Sequence, residues 1–343
     1  MTRDLLRVVV VGAATLKGRE LKEVLSDRNF PALDTKLLDD EEALGQLDSV
    51  GEEATFVQSV TPDQFRNADF TFFTSDTEFT RKHWTMAQQA SSAVMDLSYA
   101  LEAQPQAVIR ASWLERELKK PCSLTLDPAP VVIAHPAAVV LSLLLSRVQK
   151  STPIRSAVAT IFEPASERGK RGMDELHEQT VNLLSFKQLR KEVFGSQVAF
   201  NLLSRYGEKI SPSLQGIADR ILGHMRRIGT GGAALPSLML LQAPTFHGHA
   251  FSIYIELEKQ MPAPEFIKLL SGEHVVIASQ PEDLPSNVNA AGQDHISVAA
   301  RRDENRESGF WIWAAADNLR VAAINAVECA ESMISTRPRG RVQ

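Results

Sequence analysis

The stretch Val131–Leu145, VVIAHPAAVVLSLLL, constrains the fold more than any other part of the chain. It opens as a strand buried on both faces, breaks at a short turn over His135–Ala138, and continues as an apolar helix. A strand that turns sharply into a helix belongs to layered α/β architecture. The helix N-terminus at such a turn presents backbone N–H groups and the positive end of a dipole, a common place to display a nucleophile. Here the turn carries Ala137 and Ala138, which supply no nucleophile, acid or base.

The chain, at 343 residues, is long enough for two domains with proper cores. Its net charge is −5 and no basic block exceeds a few residues, which argues against nucleic-acid binding. The longest apolar run is broken by His135 and Pro136 and is too short to span a bilayer, so no membrane is expected. MTRDLLRVVVVG enters a strand without a cleavage site, so no secretory signal is expected. Two cysteines, Cys122 and Cys329, fit a reducing cytoplasm and exclude a disulfide framework. No Cys/His set has structural zinc spacing.

Arg7–Gly12 reads as a central parallel strand, GAATLKG as a turn, and GRELKEVLSDR as a helix. This is the opening of a dinucleotide-binding unit. Gly12 permits the tight turn and Gly18 close helix–strand packing, but Thr15 stands at the middle glycine, where its side chain crowds a pyrophosphate. The loop is equally readable as a βαβ turn that binds nothing. A second strand, Thr35–Leu38, runs into Asp39, Asp40, Glu41 and Glu42, which repel a 2′-phosphate. A nicotinamide cofactor, if bound, is more easily NAD than NADP; a solvated acidic loop is the simpler reading. Strands at Asp69–Thr74, Ala93–Leu97 and Pro128–Ala134 alternate with helices at Thr80–Ala90 and Ala111–Lys120, which predicts a parallel sheet. After Ser151 the pattern becomes α+β. Strands are read at Ile154–Phe162, Ser237–Leu241, Phe251–Leu257, Val275–Ala278, Ile296–Ala300 and Phe310–Ala314. Helices are read at Gly169–Leu184, Leu214–Arg227, Phe266–Gly272 and Asn318–Ile334.

Together these residues resemble the aspartate-semialdehyde dehydrogenase family over nearly the full length. GAATLKG stands where that family writes GATGAVG. Gly169–Thr180 is similar to its helix after the active-site loop, and Gln242–Ser252 to its R-V-P-x-x-x-G-H segment. Ala316–Glu331, ADNLRVAAINAVECAE, is similar to its C-terminal DNLRKGAALNAVQIAE helix. The resemblance implies a Rossmann-like domain over residues 1–135 and 317–343 and a central catalytic-type, dimerisation domain over 136–316. It also implies an NADPH-dependent reductive dephosphorylation of aspartyl phosphate through a cysteine thioacyl enzyme, with a histidine as acid and base.

Several positions depart from that pattern. The nucleophile motif N-P-N-C-S/T reads His135-Pro136-Ala137-Ala138-Val139, so Ala138 stands at the cysteine, and a methyl group cannot attack an acyl phosphate. The active-site glutamine falls on Glu163, a glycine of the following turn on Glu167, and a phosphate-binding arginine on Glu102. The substrate glutamate falls on Ile217, its lysine neighbour on Arg220, the arginine before V-P on Gln242, and the 2′-phosphate arginine on Glu42. His249 keeps the catalytic histidine position and Asn318 the nicotinamide-contacting one; Gly12, Thr15, Leu16 and Gly18 span the cofactor loop. Phe246–Ala250 shares the Phe-x-Gly-His-Ala wording of the Usg-type paralogues, non-catalytic relatives that also lack the cysteine.

The expected molecule is therefore a catalytically inactive relative that acts by binding or association, as a homodimer or with an active paralogue. NADP or NAD is possible by fold, with binding doubtful. The alternative is an active oxidoreductase without a covalent intermediate, using His249 or His135 as acid/base and NAD as hydride carrier; a small-molecule sensor is a third reading. Glu102, Glu163 and Glu167 are expected to gather at the old phosphate site. His247 and His249, two apart on a strand, share a face and with Glu163 or His135 would suit a metal, but none is assigned. Cys122, Cys329 and Ser142 are read as structural, with Ser142 bonding back to a carbonyl.

Overall fold

The computed structural model describes residues 6–51, 53–120, 129–280 and 283–336. The chain divides into two compact units, residues 1–134 with 322–343, and residues 135–321.

In the first unit, β1 (Leu6–Val11), α1 (Leu16–Asp27) and β2 (Ala32–Asp39) open the chain. β3 (Leu47–Val50) and β4 (Glu53–Phe56) form an antiparallel hairpin, which the sequence reading did not anticipate. β5 (Gln58–Ser59), β6 (Phe70–Phe73), α2 (Thr77–Gln89), β7 (Ala93–Asp96), β8 (Val108–Arg110), α3 (Ser112–Glu117) and β9 (Val131–Ile133) complete the run. Seven strands form one sheet in the order β5-β2-β1-β6-β7-β9-β8, and every pairing is parallel. Val8–Val11 are all buried, as a central strand covered on both faces requires. Cys122 and Pro128, the first residue of the expected Pro128–Ala134 strand, lie outside the described residues, and the strand proper is Val131–Ile133.

In the second unit, α4 (Pro136–Ser151) leads into β10 (Ile154–Glu163), α5 (Gly169–Leu184), α6 (Leu214–Ile228), β11 (Ser237–Gln242), β12 (His249–Leu257), α7 (Ala263–Leu270), β13 (Val275–Ile277), α8 (Asn287–Ala290), β14 (Ile296–Arg302) and β15 (Gly309–Ala316). The six strands form a mixed sheet in the order β11-β10-β12-β15-β14-β13. β10 and β12 pair antiparallel with Phe162 opposite Ala250, which brings the end of one strand beside the start of the other. Glu175 and Gln179 on α5 hold the loop that follows. Glu175 accepts the N–H groups of Glu192 and Val193 at 2.7 Å, and Gln179 Oε1 accepts that of Val198 at 2.7 Å.

α9 (Asn318–Thr336) begins in the second unit and ends in the first. In the first unit its buried Asn325 accepts from Ser112 Oγ at 3.1 Å, and Glu328 accepts from Ser112 Oγ and Arg116 at 2.8 Å. Cys329 is packed in this helix, and burial pushes its thiol up to about 12. No described helix is long and apolar enough to cross a membrane.

Candidate functional site

Two groups of residues carry the features singled out above, one in each unit. In the first unit, Gly12 has φ +88° and a Cβ there would collide with the Ser75 backbone; a Cβ at Gly18 would collide with the Gly12 carbonyl. Both glycines thus do what the sequence predicts. Thr15 is the N-cap of α1. Its Oγ1 accepts from the Gly18 N–H at 3.0 Å and donates to the Gly12 carbonyl at 2.8 Å. Leu16 starts the helix, half-buried.

Asp39 corrects the reading of a solvated acidic loop. Asp40, Glu41 and Glu42 are exposed, but Asp39 ends β2 with its side chain turned inward, 7% exposed. Its Oδ2 accepts the Ala14 N–H at 2.7 Å. Burial pushes the Asp39 carboxyl up, against the pull of its bonds from the Ala14 and Asp40 N–H groups. Two of the N–H groups that such a loop offers to an anion, those of Ala14 and Gly18, are thus used internally. Lys17, in the first turn, donates to the Leu97 carbonyl at 3.1 Å and lies 4.6 Å from the Tyr99 ring. The DLSYALE segment is held by buried Asp96, which accepts from Ser98 N–H at 2.7 Å, Ser98 Oγ at 2.6 Å and Leu101 N–H at 2.9 Å. Glu102 ends this segment, half-buried, in the first unit.

In the second unit, His249 opens β12 and Glu163 closes β10, each side chain 1% exposed, with Nε2 and Oε2 3.2 Å apart. Glu167, in the 3-10 turn Ala165–Arg168, brings a second carboxylate to 4.0 Å from the same nitrogen. The turn is tied down by the Ala165 N–H to the Thr245 carbonyl at 2.8 Å and the Ser166 N–H to the Phe246 carbonyl at 2.9 Å. Asn318 donates to Glu167 at 2.8 Å and accepts from Gly248 N–H and Ser166 Oγ at 3.1 Å. His135 caps α4: its Nδ1 accepts from Ala137 N–H at 3.2 Å, and its ring centroid lies 5.6 Å from that of His249. Ala138 is fully buried in the first turn of that helix.

Burial pushes Glu163 up, opposed by its hydrogen bond to His249. Burial alone would lower His249, but the bond to Glu163 and the charges of Glu167 and Glu163 outweigh it and hold the ring above its ordinary value. Both directions favour retention of the proton between them. A buried imidazole flanked by two carboxylates is a poor receiver of anions and a good receiver of cations.

Gln242 closes β11, fully buried, and donates to the carbonyls of Glu163 and Ala243 at 2.9 Å. Its Oε1 accepts from Tyr206 at 2.7 Å, and Arg168 lies 4.4 Å from the Tyr206 ring. Arg220 lies half-buried on α6. His247 is not on the strand: Gly248, at φ +80°, breaks the extended run, and β12 begins at His249. The shared-face argument for the His247–His249 pair therefore fails. Ser142 Oγ is buried without a hydrogen-bond partner, rather than bonded back to a carbonyl. Sequence reasoning missed His224, whose Nδ1 accepts the His135 N–H at 2.9 Å, together with Tyr206 and Arg168. His224 sits on the buried face of an amphipathic helix, where nothing in the local pattern marks it.

Comparison with known proteins agrees with this architecture. Residues 7–120 match the model of the semialdehyde dehydrogenase NAD binding domain, and residues 145–321 that of the semialdehyde dehydrogenase dimerisation domain. An aspartate-semialdehyde dehydrogenase of Rickettsia bellii is 30% identical over 96% of this chain and 98% of its own. A USG-1 protein homolog of Azotobacter vinelandii is 30% identical over 95% and 97%. The structure of a probable aspartate-semialdehyde dehydrogenase from Pseudomonas aeruginosa superposes with a TM-score of 0.85 at 27% identity, covering 97% of this chain and 99% of that one. With both units matched in order and the fold shared throughout, the chain belongs to the semialdehyde dehydrogenase family.

Proposed function

We propose that this chain has given up the thioacyl chemistry of its relatives and acts by binding or association. The observation that carries this reading is Ala138, a buried methyl in the first turn of α4. Its cap, His135, lies tilted against the retained His249, and the glutamine position beside that ring holds Glu163. The test is an assay of aspartate semialdehyde oxidation with phosphate and NADP or NAD. Turnover no higher than that of an Ala138→Val variant supports the reading. Turnover that His249→Gln abolishes overturns it in favour of a non-covalent oxidoreductase using His249 or His135 as acid/base.

The cofactor loop keeps its backbone form but fits NADP poorly. Asp39 holds the Ala14 N–H and Thr15 the Gly18 N–H, and the exposed Asp40, Glu41 and Glu42 follow β2. A dinucleotide phosphate would have to displace a carboxylate from its own donor. We derive no hydride step for this chain.

The partner we favour is a second copy. Trp311 and Trp313 stand on one face of β15, 37% and 39% exposed. The register aligns them with Arg301 and Ala299 on one side, and with Tyr254 and Ser252 on the other. Val158 and Met239 extend this face, 48% and 57% exposed. A half-apolar sheet face centred on tryptophans suits an isologous contact. Sedimentation of the purified chain at twice the monomer mass, reduced by Trp313→Arg, supports it; a monomer at micromolar concentration overturns it and leaves an active paralogue as the partner to seek.

A further inference from the structure

We propose that His135, Glu167 and His249 form a binding site for one divalent transition-metal ion, with zinc the best match to the donors. The proposal stands whether or not the chain turns over a semialdehyde. One ligand atom from each residue lies within 4.8 Å of the others. A tetrahedral zinc ion with bonds near 2.0–2.1 Å sets its donor atoms roughly 3.4 Å apart, so the three must close by about 1.4 Å at most, a side-chain adjustment. Two imidazoles and a carboxylate favour zinc or cobalt over magnesium or calcium, which take oxygen donors.

The ligands come from three separately anchored places: the cap of α4, the 3-10 turn after β10, and the first residue of β12. Glu167 has an outer partner of the kind that orients metal ligands. Asn318 holds the Glu167 carboxylate at 2.8 Å and is itself held by Gly248 and Ser166. Glu163 faces His249 at 3.2 Å, and the His135 backbone N–H is bound by His224. A cation here also offsets two carboxylates in a buried pocket, where an uncompensated charge is most costly. Two elements oppose binding: an ion must displace the proton that His249 Nε2 shares with Glu163 at 3.2 Å, and His135 Nδ1 accepts from Ala137 N–H, so ligation through the far nitrogen moves the ring proton to Nδ1 and gives up that 3.2 Å cap. The loss of one long cap is small beside coordination by three side chains.

The test uses the full chain, stripped with a chelator and titrated with zinc chloride alone by calorimetry and with cobalt chloride alone by visible absorption. We expect one ion per chain and a ligand-field spectrum of low coordination number. Affinity should fall by more than about tenfold in Glu167→Gln and in His135→Asn, the latter chosen because asparagine preserves the helix cap. His247→Ala should bind as the parent does. Absence of saturable binding overturns the proposal. So does binding that survives both ligand variants, or binding that is lost with His247.

Discussion

The loop at Gly12–Gly18 and the pocket around His249 both place carboxylates where an anion would approach, in different ways. The loop has two glycines that admit no Cβ, yet two of its donors, the Ala14 and Gly18 N–H groups, are taken from within by Asp39 and Thr15. The pocket sets His249 between Glu163 and Glu167. In the loop a carboxylate and a hydroxyl occupy backbone N–H groups; in the pocket two carboxylates add negative charge beside a side chain. The first change leaves the scaffold recognisable; the second rewrites the chemistry at fixed backbone positions.

The comparison breaks most readily at His249. His249→Leu removes the buried ring that Glu163 meets at 3.2 Å and should cost about 3–5 kcal/mol of stability, read as a lowered Tm. Asp39→Asn keeps the Ala14 hydrogen bond and removes a charge beside any incoming phosphate. It should tighten NADPH binding roughly fivefold to tenfold in a fluorescence titration, and an unchanged Kd would shift the obstruction to Thr15. Thr15→Ala, which removes the α1 cap, should cost about 1 kcal/mol in denaturant unfolding. Glu163→Gln retains a hydrogen-bonding partner for His249, and its stability should stay within about 1 kcal/mol of the parent. The smallest effect is expected at Cys329. Its thiol, pushed up to about 12, stays protonated at pH 8, so a Cys122→Ser variant should show no thiol to Ellman's reagent until denatured.

Long periodic elements were legible in the sequence. Helix α5 occupies the whole predicted span Gly169–Leu184, because Met173, Leu176, Thr180 and Leu183 recur at helical spacing. The hairpin β3–β4 and strand β5 were not legible: they are at most four residues long and largely exposed, so they carry no burial signal. Resemblance located Glu163, Glu167 and His249 singly, but their convergence depends on the antiparallel register of β10 and β12, which joins residues 86 apart. Asp39 was misread because an acidic run looks solvated, and only tertiary packing shows which of its members turns inward. Glu102 and Arg220 were read from the family's charge pattern. Their surroundings follow from packing that the local sequence does not encode.

The course of α9 bears on how the chain is made. Buried Ser112 finds its partners on Asn325 and Glu328, and the first of these lies 213 residues downstream. At ordinary rates of synthesis that interval is roughly 10–40 s. Through it the strands of the first unit are synthesised while the helix that bonds Ser112 is still unwritten. The second unit, continuous in sequence, can fold first. A stop codon that removes only the last helix would therefore strike hardest at the beginning of the protein.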